Sequence, residues 1–135
     1  MEASVTCSTA SVSDRAKPAV DFACAAAIRK ADIKEFSSVR DPFVPNNFFI
    51  AAAWQQAGVT LTGMAYPQSF YGNLAGGVRK PFKDAAPGDV LFIDSTPKFS
   101  YGVDLGDRMA AGLDRKTRKI ELLKVSGSPE AITPA

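Results

Sequence analysis

Residues 87–105 constrain the fold more than any other stretch, because they contain two strand-forming runs separated by a polar loop. The stretch opens with Pro87-Gly88-Asp89, a turn sequence in which the glycine supplies a permissive backbone conformation. Residues 90–93 are apolar and rich in β-branched and aromatic side chains, which is typical of a buried strand. Residues 101–105 form a second such run before the Gly106-Asp107 turn. We therefore predict a β-hairpin in the middle of a sheet.

The residues upstream of this hairpin favour helices. In the first predicted helix, Ser13 or Asp14 is the candidate N-cap and Pro18 suits the first turn. Apolar residues then recur at helical spacing and predict one buried stripe, formed by Val20, Cys24, Ala27, Ile28 and Ala31.

A second helix is predicted over residues 48–56, with Asn46 or Asn47 as its N-cap and Gly58 at its C-terminal end. Because this segment is apolar on nearly all sides, we expect it to be buried between other elements. Residues 66–74 are interpreted as a short third helix.

The rest of the chain favours short strands, at residues 78–82, 108–112 and 119–125. Residues 126–135 contain two prolines and are interpreted as a C-terminal tail, and the polar start of the chain as an N-terminal arm. Helices followed by an antiparallel meander predict a single α+β domain.

Composition removes several classes of function. The sequence contains no histidine, which is the usual general base near neutral pH and the commonest metal ligand. A net charge of +2 gives no case for nucleic acid as a partner, and no apolar run is long enough to cross a bilayer. We expect no metal and no cofactor. Cys7 and Cys24 either form a disulfide, typical of an oxidising compartment, or are one buried and one loose thiol.

Three stretches, taken in order, resemble the NlpC/P60 domain, the papain-like cell-wall cysteine peptidases of bacteria. Residues 54–61 (WQQAGVTL) resemble the end of the family's central helix, where an aromatic residue precedes QAGV and LP. Residues 86–93 (APGDVLFI) resemble its L-x-P-G-D-L-V-F-F segment, and residues 100–107 (SYGVDLGD) its H-V-G-I-Y-L-G-D segment. The resemblance covers residues 18–125 and leaves 1–17 as the arm and 126–135 as the tail. It implies a papain-like α+β fold, with N-terminal helices packed on an antiparallel sheet of five or six strands.

The resemblance also places the family's catalytic residues on this chain, and none of them keeps its chemistry. The nucleophilic cysteine falls on Asn46, the histidine base on Ser100 and the third polar residue on Ala111. Cys24 is not a substitute nucleophile, since it lies in the middle of the apolar stripe of the first helix. The resemblance therefore implies a catalytically inactive member.

Such a domain is expected to bind peptidoglycan or its stem peptides without hydrolysis, and to be secreted or associated with the cell wall. The expected ligand contacts are Asn46, Asn47, Tyr66, Gln68, Tyr71 and Ser100. The alternative is a protein-interaction module that docks or regulates an active secreted partner such as a cell-wall hydrolase. It would use the inactive groove or the surface around Phe36 and Phe43.

Two further clusters have simpler explanations than a site. Four aspartates in and around the hairpin could pair as catalytic carboxylates, but turn chemistry explains Asp89 and Asp107 better, and Asp104 is expected to face solvent. The basic residues at 115, 116, 118 and 119 are interpreted as a solvated hairpin turn, and the alternative is a site that binds an acidic wall polymer.

Overall fold

Two helices pack on a six-stranded antiparallel sheet in the computed structural model, which confirms the α+β class. The described residues are 12–37, 43–61, 77–94, 100–114, 116–125, 127 and 129–134. Helix α1 is Lys17–Ile28 and helix α2 is Phe43–Gln55. The strands are β1 Val78–Lys80, β2 Val90–Asp94, β3 Ser100–Gly106, β4 Met109–Asp114, β5 Lys119–Lys124 and β6 Ala131–Thr133. Short 3₁₀ segments lie at Ile33–Glu35 and Phe82–Asp84.

The predicted hairpin is present and lies inside the sheet. The order of the strands is β1-β6-β2-β3-β4-β5, and every neighbouring pair is antiparallel. Val90 of β2 pairs with Val103 of β3, and a register shift follows after Phe92. Strands β2 to β5 form the predicted meander. The far edge of β5 is covered by backbone hydrogen bonds with Ala31 and Ile33.

Strand β6 was missed, because its residues lie in the stretch interpreted as a tail. Ala131–Thr133 inserts between β1 and β2, with Ala131 opposite Leu91 and Thr133 opposite Val78. The prolines on which the tail interpretation rested flank this strand and leave its ladder hydrogen bonds intact. Since Ile132 is fully buried, the sheet and its core extend beyond residue 125.

Helix α1 carries the predicted buried stripe with one correction. Val20, Cys24 and Ala27 are buried, whereas Ile28 is 46% exposed, because a rotation of about 100° per residue turns it past the buried face. The N-cap prediction was also wrong. The cap residue is Ala16, and Ser13 instead accepts hydrogen bonds from the turn that leads into the helix.

Helix α2 begins at Phe43 rather than at Phe48, so neither Asn46 nor Asn47 is its N-cap. Pro45 lies inside the first turn, where a missing N–H leaves no intrahelical hydrogen bond unmade. The predicted C-terminal glycine is confirmed, since Gly58 has a φ of +81° and Val59 N donates to the Trp54 carbonyl at 3.0 Å. The helix is buried as expected.

The helices meet the sheet at Gly88, the central residue of the predicted turn. The indole Nε1 of Trp54 donates to the Gly88 carbonyl at 2.9 Å, and both residues are buried. Gly88 has a φ of +99°, and a Cβ there would lie 2.8 Å from the Cβ of Ala16. Only glycine satisfies both the backbone conformation and this close approach. The predicted third helix at 66–74 lies outside the described residues.

Gly88→Ala should destabilise the fold far more than Gly58→Ala. Both glycines have a positive φ, which costs about 1 kcal/mol for alanine, but a Cβ at Gly58 meets nothing within 4 Å. Overpacking against Ala16 brings the cost at Gly88 to about 3 kcal/mol. Urea unfolding of the two variants and the wild type measures the difference. Equal losses would show that the close approach at Gly88 contributes nothing.

Candidate functional site

The three positions that correspond to catalytic residues lie on elements that pack together. Asn46 is in α2 near its N-terminal end, Ser100 is the first residue of β3, and Ala111 is in β4. Helix α2 contacts both strands, and the strands pair with each other through Val103 and Ala111. The three positions therefore lie on elements that pack against one another, although the paired register of β3 and β4 begins at Gly102 and does not include Ser100.

Asn46 joins the helix to the sheet. Its side chain is 1% exposed, and its Oδ1 accepts a hydrogen bond from the backbone N–H of Leu113 in β4 at 3.2 Å. Leu113 is two residues after Ala111, so the contact lies beside the third predicted position. The amide thus has a structural role that differs from the predicted cap. Asn47 is fully buried as well.

The residue types at these positions limit the chemistry. Ala111 offers a methyl group and is fully buried, and the amide of Asn46 is not a nucleophile. Ser100 has a hydroxyl, but a serine nucleophile needs an adjacent base, and the sequence has no histidine to supply one. Of the three side chains, only those of Asn46 and Ser100 can form hydrogen bonds, and that of Asn46 is buried against β4.

Tyr66, Gln68 and Tyr71 lie outside the described residues, as does Cys7. Cys24 is buried on α1 within the main core, and its disulfide with Cys7 stays a prediction.

Asp104 is a feature that the sequence did not reveal. It was expected to face solvent, yet it is 4% exposed on an interior strand of the sheet. Burial raises the pKa of Asp104 to about 6, against the opposing hydrogen bond from Gly106 N, and the nearby charge of Asp89 raises it further. A pattern of alternating residues places Asp104 on a face but does not show what covers that face.

Asp89 confirms its predicted turn chemistry and has a further role. Its Oδ2 accepts from Ala86 N at 2.8 Å within the turn and from Lys80 Nζ at 2.9 Å, and its Oδ1 accepts from Thr133 Oγ1 at 2.6 Å. The carboxylate therefore connects β1 and β6 to the turn before β2. Asp107 lies exposed in the turn after β3, as expected.

Lys116 and Arg118 lie in the predicted hairpin turn between β4 and β5, and Lys119 is the first residue of β5. Asp114 Oδ1 accepts from the backbone N–H groups of Lys116 and Thr117, and Arg118 has a φ of +57°. Lys116 and Lys119 are exposed. Arg115 lies outside the described residues.

A separate cavity of about 330 Å³ opens between the 3₁₀ segment Ile33–Glu35 and α2. Its lining is mainly apolar, with three polar side chains among the eight residues: Glu35, Phe36, Phe48, Ala51, Ala52, Gln55, Thr60 and Leu61. Phe36, which the alternative interpretation named, contacts Phe49 with ring centroids 5.2 Å apart. The side chain of Phe43 is outside the described set.

Comparison with protein-family models and with curated proteins found no match for this chain. Across the described parts of the chain, no group of three or more acidic or cysteine side chains is placed to hold a metal ion. Within the same residues, no helix combines the length and the apolar character that crossing a bilayer requires.

Asn46→Ala should destabilise the fold by about 1–3 kcal/mol, because it removes the acceptor of a buried backbone N–H. Gln55→Ala is the matched control, since Gln55 is exposed at the other end of the same helix and its loss should change stability by less than about 0.5 kcal/mol. Urea unfolding measures both. Equal effects would show that the contact with Leu113 is not a structural tie.

Proposed function

We propose that this chain is an NlpC/P60-like domain with a papain-like fold that binds peptidoglycan or its stem peptides without hydrolysing them. It would act outside the cytoplasmic membrane, as a secreted or cell-wall-associated protein. The observation that carries the proposal is the location of Asn46, on a buried helix packed against the two strands that hold Ser100 and Ala111.

The order of the elements supports this proposal. A buried helix that carries Trp54 near its C-terminal end precedes an antiparallel sheet, and the Pro-Gly-Asp turn that contacts Trp54 leads into β2. The segment that resembles the family's histidine-bearing strand is β3. Each of the three resembling stretches therefore occupies the kind of element that the resemblance requires.

The burial of the two asparagines refines the proposed ligand contacts. With exposed fractions of 1% and 0%, Asn46 and Asn47 are suited to shaping the floor of a groove. We assign direct contact with a stem peptide to Ser100 and to Tyr66, Gln68 and Tyr71, which follow α2 in the chain. Tyrosine combines a large apolar face with a hydroxyl, and is therefore suited to binding a peptide with alternating methyl and carboxylate groups.

Sedimentation with insoluble peptidoglycan tests this function. The protein should be depleted from the supernatant, and no peptides should be released, because no thiolate or imidazole is present at the predicted catalytic positions. Tyr71→Ala should weaken binding about tenfold, the usual loss for an aromatic contact, while Gln56→Ala, an exposed residue after α2, should bind as the wild type does.

Two results would contradict the proposal. Absence of depletion would exclude peptidoglycan binding, and release of peptides by the wild type would exclude an inactive site. Equal binding by the Tyr71→Ala and Gln56→Ala proteins would place the ligand elsewhere on the surface.

The cavity beside Phe36 favours a second candidate, a protein-interaction module that docks an active cell-wall hydrolase. Its volume of about 330 Å³ and its mainly apolar lining suit one large apolar side chain of a partner. Glu35, one of the lining residues, forms an ion pair with Arg29 through contacts of 3.1 and 2.9 Å, so its negative charge is paired.

Ala52→Trp should separate the two candidates by filling this cavity. If the cavity docks a hydrolase, the substitution should reduce binding to the purified enzyme at least tenfold and leave sedimentation with peptidoglycan unchanged. Lys34→Ala, an exposed neighbour outside the lining, is the control. Unchanged binding to the hydrolase would exclude the cavity as the docking site.

A further inference from the structure

A cluster of three charged side chains lies where β1, β2, β3 and β6 meet. Asp89 and Asp104 are 2% and 4% exposed, and the side chain of Lys80 is 22% exposed. Backbone hydrogen bonds fix the two aspartates relative to each other, since Asp104 N donates to the Asp89 carbonyl at 2.8 Å. The Asp104 carbonyl in turn accepts from Gly88 N at 2.7 Å. The cluster therefore includes the turn whose Gly88 carbonyl accepts the hydrogen bond from Trp54.

The carboxyl group of Asp89 is surrounded by hydrogen-bond donors. Three donors converge on it, from Lys80 Nζ, Ala86 N and Thr133 Oγ1, at 2.9, 2.8 and 2.6 Å. The strongest of these is the charge-assisted contact with Lys80. Through these donors Asp89 holds β1 and β6 to the turn before β2.

Asp104 does not have a comparable set of hydrogen-bond donors. Its Oδ1 accepts from Gly106 N at 2.8 Å, and the one ammonium of the cluster is already bonded to Asp89. The groups that face it from neighbouring elements are Lys80 from β1 and Asp89 from the turn before β2, while β4 places the uncharged Ala110 opposite it. Two buried carboxyls and one cation leave one negative charge too many, so the neutral acid is favoured at Asp104.

We propose that Lys80, Asp89 and Asp104 form a pH-dependent switch that holds β6 and the Gly88 turn most firmly when Asp104 is protonated. When Asp104 ionises, its charge repels the Asp89 carboxylate and competes for Lys80. The contacts from Asp89 to Lys80 and Thr133 then weaken, and with them the attachment of β1 and β6. The protein should therefore be more stable in mild acid than at neutral pH, independently of what it binds.

Proton linkage sets the direction in which the stability of the fold changes with pH. Burial raises the pKa of Asp104 from 3.8 to about 6, so the folded protein binds more protons than the unfolded chain between these values. The stabilisation is complete below the lower value and is lost as the pH rises through the upper one. The contribution of Asp104 is isolated by comparing the wild type with a variant that lacks this carboxyl.

Urea unfolding of the wild type and of Asp104→Asn from pH 4 to pH 7.5 supplies that difference. The unfolding constant of the wild type, divided by that of the variant, should rise roughly 10- to 100-fold over this range, because only the wild type loses a proton at Asp104. Asp107→Asn, an exposed aspartate on the adjoining turn, should keep the pH dependence of the wild type. A constant ratio for Asp104→Asn would overturn the switch.

A measurement on the unmodified chain covers the case in which the variant fails to fold. Carbon-13 NMR of the aspartate carboxyls should show Asp104 titrating with a midpoint near 6. Amide exchange in β6, corrected for the intrinsic pH dependence, should accelerate across the same interval. A midpoint near 3.8, or exchange in β6 that does not follow the titration, would overturn the proposal.

Discussion

The contact between Trp54 and Gly88 is the constraint on which the rest of the fold depends. A buried indole N–H needs an acceptor, and the Gly88 carbonyl supplies it at 2.9 Å because no Cβ keeps the turn away from the helices. Arg15 lies over the same indole at 5.3 Å and donates to the Pro134 carbonyl at 2.7 Å. The approach to α1, the end of α2, the turn before β2 and the residue after β6 therefore meet around one side chain.

This arrangement explains why the central hairpin was predictable and β6 was not. The hairpin has local signals, namely a Pro-Gly-Asp turn and apolar runs of strand length, and each of them acts within a few residues of the chain. Strand β6 has three residues between prolines, and its identity comes from pairing with β1 and β2, whose paired residues lie roughly 40 to 55 positions earlier. Sequence patterns do not record such long-range pairing.

In the candidate site as well, elements with local sequence signals were predicted and long-range contacts were not. Its helix and strands were predicted, and the structure packs them together, but Asn46 is not the predicted N-cap because α2 begins at Phe43 and continues through Pro45. The hydrogen bond from Leu113 to Asn46 joins residues that are 67 positions apart, and no local pattern indicates it. The burial of Asp104 was missed for the same reason, because a local pattern places a residue on one face of the sheet without showing what packs on that face.

In the proposed account, an asparagine that ties helix to sheet stands where a peptidase of the resembling family has its nucleophile, and the surrounding scaffold serves to bind. Chemical-shift mapping of the labelled protein during titration with a soluble muropeptide tests this claim most directly. We expect saturable shifts concentrated at Ser100, at the amides of Asn46 and Asn47 and in β4, with the muropeptide remaining intact. Shifts confined to the cavity beside Phe36, no shifts at all, or cleavage of the muropeptide would contradict it.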